Sequence, residues 1–141
     1  MSKKAIQGTL LDASAVLAFL QGEPGAELVR LALEADHCWV GAANQAEIIA
    51  KSIDRGVDTA SLTAVLADLA YTLVAITPED GTQAGWLRQQ TRAIGLSLGD
   101  RLCLAQAQRL KASVLTADSP WLNVAADLGL TIQCIRPNGP H

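Results

Sequence analysis

Short apolar runs alternate with helical segments along the whole chain. That alternation predicts an α/β fold: a three-layer sandwich whose central parallel sheet of about five strands is flanked by helices on both faces. Two further observations agree. Half of the 141 residues are hydrophobic, so the core is sizeable. Aromatic residues are scarce, with one Tyr, one Phe and three Trp, so that core is mainly aliphatic, with Ala and Leu for helices and Val and Ile for buried strands.

The elements follow in order. Gly8 to Asp12 predicts a first strand, and Ser14 to Leu20 a helix broken by Gln21-Gly22-Glu23-Pro24-Gly25. A second helix is expected to open at Pro24, where a missing N–H costs little, and to run to about Glu34 with Leu28, Leu31 and Ala35 on one side. Cys38 to Gly41 predicts the second strand. Ala42 to Ile53 reads as helix with Ile48 and Ile49 inward and Lys51 and Arg55 outward, stopped at Gly56. Asp58 or Thr59 can cap the next helix, Ser61 to Ala70. Tyr71 to Ile76 predicts a third strand. Pro78 opens a helix expected to reach about Ala93, with Gly95 as its stop. Ser97-Leu98-Gly99-Asp100 leads into a helix to Leu110. Ser113 to Thr116 and Ile132 to Ile135 predict strands four and five, with a helix from Trp121 to Leu128 between them. The chain reads as one domain, 1–141, in which Arg136 to His141, with Pro137, Gly139 and Pro140, is expected to fray.

Composition narrows the function classes. The balance is mildly acidic, 14 Asp and Glu against 11 Lys and Arg. Binding nucleic acid through bulk charge usually takes a basic chain, so any such contact here must be local, metal-assisted or shared between subunits. Cys38, Cys103 and Cys134 are widely spaced and form no C-x-x-C pair, which excludes the common zinc and redox motifs. Each is flanked by apolar residues, reads as a small buried hydrophobe, and suits a reducing cytoplasm. Asp12 interrupts the first apolar run, so the N-terminus does not read as a signal peptide. No apolar stretch approaches the ~18–20 residues of a membrane helix, so no membrane association is expected.

Four acidic residues stand out: Asp12, Glu47, Asp100 and Asp118, each beside an apolar run. In open parallel sheets, ligands bind outside the carboxyl ends of the strands. Asp12 ends strand one and Asp118 follows strand four. Glu47 lies a turn into the helix after strand two, and Asp100 in the first turn of a later helix. Converging carboxylates repel, and must bind protons or share a cation. Hard oxygen ligands suit Mg²⁺ or Mn²⁺, which points to metal-dependent phosphodiester chemistry. Each acid also has a local reading. Asp12 can cap the helix after it. Asp100 can close a capping box with Ser97. Asp118-Ser119-Pro120 is an ordinary helix entry, and Glu47 with Lys51 an i,i+4 ion pair. Four such accidents would have to coincide at one edge of one sheet.

The ordered set of motifs resembles the PIN-domain ribonucleases, and more narrowly the VapC toxins of bacterial toxin–antitoxin pairs. The carriers are Leu11-Asp12-Ala13-Ser14-Ala15, Glu23-Pro24-Gly25, Asn44-x-x-Glu47, Leu96-Ser97-Leu98-Gly99-Asp100-Arg101-x-Cys103-Leu104-Ala105 and Leu115-Thr116-Ala117-Asp118, spread over residues 9 to 135. The resemblance implies a PIN-like sandwich and a four-carboxylate endoribonuclease site. In it Asp12, Asp100 and Asp118 would hold Mg²⁺, with Mn²⁺ as the alternative, and Glu47 would complete the site from the opposite wall. Ser14 and Thr116 resemble the small hydroxyl residues that fix carboxylate rotamers. It also implies an RNA substrate, a cognate antitoxin encoded nearby and a homodimer. An acidic monomer is a poor RNA platform, whereas two subunits can pool arginines; Pro24 to Glu34 and Ser61 to Ala70 are the expected interface helices.

Lys51, Arg55 and Arg101 are the expected phosphate contacts, since the first two share a helical face with Glu47 and the third adjoins Asp100. Arg88 and Arg92 are further basic residues. Trp86 and Trp121 could stack on bases, but burial is the expected fate of both. His37 and His141 lack ligand-type spacing and read as bland. A non-catalytic PIN-fold module that binds RNA or protein is the alternative. A dehalogenase-type phosphatase would want Asp-x-Asp where this chain has Ser14. A receiver domain would want an N-terminal acidic pair and a late-strand Lys.

Overall fold

The computed structural model describes residues 8–35 and 37–136. Five strands form one sheet in the order β3-β2-β1-β4-β5. They are β1 (Thr9–Leu11), β2 (Cys38–Gly41), β3 (Thr72–Val74), β4 (Ser113–Thr116) and β5 (Ile132–Cys134). Every pairing is parallel, with Leu11 opposite Val40 on one side and Leu115 on the other. The helices are α1 (Ala13–Leu20), α2 (Ala26–Glu34), α3 (Ala42–Asp54), α4 (Thr59–Asp68), α5 (Pro78–Trp86), α6 (Arg88–Thr91), α7 (Leu98–Leu110) and α8 (Ala125–Leu128). This is the three-layer arrangement expected from the sequence.

Strand side chains alternate between the two faces, and each face carries its own core. Leu11, Val40 and Leu115 pack with Val16, Val29, Leu33 and Ile48 of α1, α2 and α3. Their sequence neighbours Leu10 and Val114 point the other way, into Ala84, Leu87, Leu104, Trp121 and Leu128. The chain winds from β1 to β2 and β3 on one side, then returns to β4 and β5 on the other. The sheet therefore has its topological switch point between β1 and β4. The carboxyl ends of the strands beside that point are the usual ligand position in such sheets.

Several local expectations are corrected. Helix α2 opens at Ala26, not Pro24, because Gly25 takes φ +96° against β5; a Cβ there would lie 2.5 Å from the Ile135 carbonyl oxygen. The core side of α2 is Val29 and Leu33, while Leu28 and Leu31 are exposed. Ile48 is buried but Ile49 is exposed, since one residue turns a helix by about 100°. Asp58 caps α4, accepting from Ser61 N at 3.0 Å. The helix expected over Pro78 to Ala93 divides into α5, α6 and a 3₁₀ turn, Arg92–Ile94. Buried Leu87 and Thr91 face the core at the break, and the Thr91 hydroxyl donates to the Leu87 carbonyl at 2.8 Å, a back-bond that bends helices. Gly95 does end this segment, at φ +68°. The segment before β5 is a 3₁₀ helix, Ser119–Val124, followed by the single turn of α8. Cys38 and Cys103 are buried, whereas Cys134 on edge strand β5 is partly exposed. Of the segment expected to fray, Arg136 to His141, Arg136 lies 4.0 Å from Glu23 and the rest falls outside the described residues. Among the described residues, no helix is long and apolar enough to cross a membrane.

Candidate active site

Asp12 lies at the switch point and is only 2% exposed. It caps α1, its Oδ1 accepting from Ala15 N at 2.8 Å. The Ser14 hydroxyl lies 2.8 and 2.9 Å from its two oxygens, and Thr116 Oγ1 donates to Oδ2 at 2.7 Å. Ser14 Oγ in turn accepts from Ala117 N at 2.8 Å, and Thr116 Oγ1 from Asp118 N at 3.0 Å. The two hydroxyls thus tie the Asp12 carboxylate to the backbone of the β4 loop. Burial pushes the Asp12 carboxyl up to about 7; the bonds from Thr116, Ala15 and Ser14 oppose this, and the Asp118 charge adds to it.

Asp100 sits in the first turn of α7. Its local reading is realised as well: Ser97 Oγ accepts from Asp100 N, and Asp100 Oδ2 accepts from Ser97 N, both at 3.1 Å. Capping and convergence are compatible, because the N-terminus of α7 that Asp100 caps lies on the same side of the sheet as the other acids. Burial raises the Asp100 carboxyl, the Ser97 bonds lower it, the Asp118 charge raises it and the Lys51 charge lowers it. Asp118 is exposed on the loop after β4 and acts on both Asp12 and Asp100.

Glu47, on α3, lies against the start of α7. Asn44 Nδ2 donates to its Oε1 at 2.9 Å and reaches the Gly99 carbonyl at 3.4 Å. Gly99 leaves room for this carboxylate: a Cβ there would lie 2.4 Å from Glu47 Oε1. Beneath the acids, Cys103 is fully buried. Burial pushes its thiol well up, and the charges of Asp12, Asp100 and Glu47 all add to that. The fold therefore gathers Asp12, Glu47, Asp100 and Asp118 at one end of the sheet. None of the four makes an ion pair among the described residues. Among the described residues no three His, Cys, Asp or Glu side chains stand close enough together to hold a metal ion. In donor chemistry these oxygens still fit a hard divalent cation.

The basic residues differ in freedom. Lys51 is exposed on the last turn of α3, where its charge acts on Asp100, and Arg55 is exposed at the C-cap of that helix. Arg101 is half-buried and donates from Nη1 to the Ala84 carbonyl at 2.8 Å, which fixes its guanidinium between α7 and α5. Arg88 and Arg92 are exposed further along the α5–α6 segment. Trp121 is fully buried as expected, but Trp86, at the end of α5, is 62% exposed. The helix break after Trp86 is the reason, since Leu87 takes the core position. His37 lies before β2, at the opposite end of the sheet from the acids, in tilted contact with Trp39. His141 lies outside the described residues. Sequence reasoning missed roles for Asn44, Gly99 and Cys103. The i,i+3 spacing of Asn44 to Glu47 was a visible signal, whereas the closeness of Gly99 to Glu47 depends on helix packing.

A family model for the PIN domain matches residues 9–127. The chain belongs to the PIN-domain family. Solved structures of similar PIN fold include a chain of the toxin–antitoxin complex from Klebsiella pneumoniae, at 16% identity and TM-score 0.69, covering 91% of this chain and 98% of that one. The DNA-bound VapBC of Salmonella typhimurium gives 13% identity and TM-score 0.67 over 92% and 99%. FitAcB from Neisseria gonorrhoeae gives 17% and 0.65 over 90% and 97%. At these identities the likeness is one of fold. No curated protein matches the sequence.

Proposed function

We propose that this PIN domain is a Mg²⁺-dependent endoribonuclease toxin of the VapC type, held silent in the cytoplasm by a cognate antitoxin encoded nearby. The observation that carries the reading is Asp12: a buried carboxylate at the switch point, held by three donors, Ser14, Ala15 and Thr116, beside further acids and in no ion pair among the described residues. Asp12, Asp100 and Asp118 would hold Mg²⁺ or Mn²⁺, and Glu47 would close the site from the α3 side. When bound, such an ion supplies an activated water and offsets charge on the phosphoryl oxygens. The protein's own part is positional. Ser14 and Thr116 lock Asp12, Ser97 locks Asp100, and Asn44 locks Glu47. Lys51 and Arg55 would meet the RNA backbone from α3, and Arg101 would stiffen the α7 wall beside it.

The likeness of fold to a chain of the Klebsiella pneumoniae toxin–antitoxin complex supports the partner reading. A basic antitoxin segment would place Arg or Lys among the four carboxylates and take over the charge compensation. Exposed Ile53, Val57 and Val65 beside α4 supply apolar surface for the rest of it. Two copies would pool their basic residues along one groove as a homodimer. Sedimentation at tens of micromolar tests that point, and a monomer would count against it.

The open ligand set favours one other reading, a PIN-fold module that binds RNA or protein without cutting. Expression separates the two. The wild-type chain alone should arrest bacterial growth, Asp12→Asn should not, and co-expression of the adjacent small gene should restore growth. Harmless expression in its own host, with RNA left intact by the purified protein, would favour the binding module.

A further inference from the structure

Two buried amide side chains meet beside Gly41. Asn44 and Gln106 are each 1% exposed. Asn44 uses Nδ2 on Glu47 and on the Gly99 carbonyl. Gln106 uses Nε2 on the carbonyls of Val74 and Ala75, both at 3.2 Å, at the end of edge strand β3. Turning either amide over would set its oxygen against those acceptors, so the network fixes both orientations.

Asn44 Oδ1 and Gln106 Oε1 are then left buried without a donor among the described residues. Both oxygens lie on the side-chain side of the same glycine. A Cβ built on Gly41 would lie 2.1 Å from Gln106 Oε1 and 3.5 Å from Asn44 Oδ1. Buried acceptors are rarely left unsatisfied, and ordered water is the usual partner where no protein donor reaches. A single water carries two O–H donors, which matches two lone acceptors.

We propose that one buried water donates to both Asn44 Oδ1 and Gln106 Oε1, and that Gln106 is thereby a positioning residue for Glu47. Asn44 is then held at both ends of its amide, by Glu47 and Gly99 on one side and by the water and Gln106 on the other. Gln106 in turn is anchored to β3. Glu47 keeps one orientation against Gly99 because Asn44 has nowhere else to turn. The catalytic consequence rests on the nuclease reading; the water and the order of Asn44 do not.

A high-resolution crystal structure of the full chain tests the water. One density peak within about 2.6–3.2 Å of both oxygens is expected. No peak, or a peak bonded to only one of them, overturns the proposal. NMR exchange of the Asn44 side-chain NH₂ tests the positioning. It should be protected in the wild type and lose protection at least about tenfold in Gln106→Met, since the amide then has fewer restraints. Unchanged protection overturns the role. In RNA cleavage, Gln106→Met should lower kcat about tenfold with KM near wild type, and cost nothing further in a Glu47→Gln background. Additive losses would make Gln106 merely structural. If the chain cuts no RNA, the nuclease reading fails while the density and the exchange still decide the proposal. If Gln106→Met does not fold, the wild-type density decides it.

Discussion

Thr116 donates a 2.7 Å hydrogen bond to Asp12 across the boundary between β4 and β1, joining two residues 104 positions apart in sequence. The same hydroxyl accepts from the backbone N–H of Asp118. One threonine thus sets the rotamer of the buried acid and the course of the loop carrying the exposed one.

Thr116→Val keeps the shape and removes both bonds. Near pH 8, where Asp12 is ionised, the protein should lose about 1–3 kcal/mol of stability, the usual cost of a buried polar group deprived of its partner. Near pH 5 the loss should shrink, because a protonated Asp12 needs fewer donors. Chemical denaturation at the two pH values checks this, and equal losses would show that the bond does not serve the charged form.

Asp12 and Asp80 should bend the stability curve in opposite directions. The folded Asp12 carboxyl is raised from 3.8 to about 7, so between those values the folded state holds a proton that the unfolded state releases. Its contribution is complete below the unfolded value and is lost as pH rises through about 7. In chelator, the wild type should lose stability over that window. Asp12→Asn should lose less, keeping only the slope from Asp100, which is also raised. Parallel melting curves would contradict the assignment.

Asp80 behaves the other way. Its side chain is 2% exposed and pairs with Arg109 at 2.8 Å, which lowers its carboxyl. That contribution is present above the ordinary carboxylate value of 3.8 and is lost as pH falls through the lower folded one. Arg109→Met strands the buried carboxylate between α5 and α7. With Arg109 partly exposed, the expected cost is roughly 2 kcal/mol at pH 7. Thermal melts at pH 7 and pH 3 should show the variant closing on the wild type in acid.

Gly99→Ala should separate folding from function. Alanine favours a helix over glycine by about 1 kcal/mol, so α7 should tolerate the change. The new methyl would lie 2.4 Å from Glu47 Oε1 and push that carboxylate aside. Cleavage should fall at least about tenfold, about 1.4 kcal/mol in the barrier, with melting temperature held or raised. Full activity would remove Glu47 from the site.

Much of this was legible in the sequence because it rests on local periodicity and on order along the chain. The Cys38–Gly41 and Ser113–Thr116 strands have the expected bounds, since a short apolar run leads up to a helix start or turn in each. The four acids could be placed because Asp12 and Asp118 follow strands, Asp100 lies in a first helical turn and Glu47 a turn into the helix after β2. What was not legible depends on contacts between distant elements. Trp86 is exposed because Leu87 and Thr91 claim the core. Gly25 is left-handed because β5 passes beside it. The Asn44–Glu47–Gly99 contact exists only once α3 lies against α7.

The most direct test is cleavage of total RNA by the purified chain, with Mg²⁺ or Mn²⁺, with Ca²⁺, and with excess EDTA, alongside Asp12→Asn and Asp100→Asn. Mg²⁺ or Mn²⁺ should support cutting, Ca²⁺ should support it poorly because its looser geometry positions water less well, and EDTA should stop it. Both variants should fold, since an asparagine keeps an oxygen for the helix cap, and each should keep less than about a tenth of the wild-type rate, a barrier change of about 1.4 kcal/mol. Cleavage that survives exhaustive chelation, or a folded Asp12→Asn protein that still cuts at wild-type rate, would contradict a metal-dependent carboxylate site.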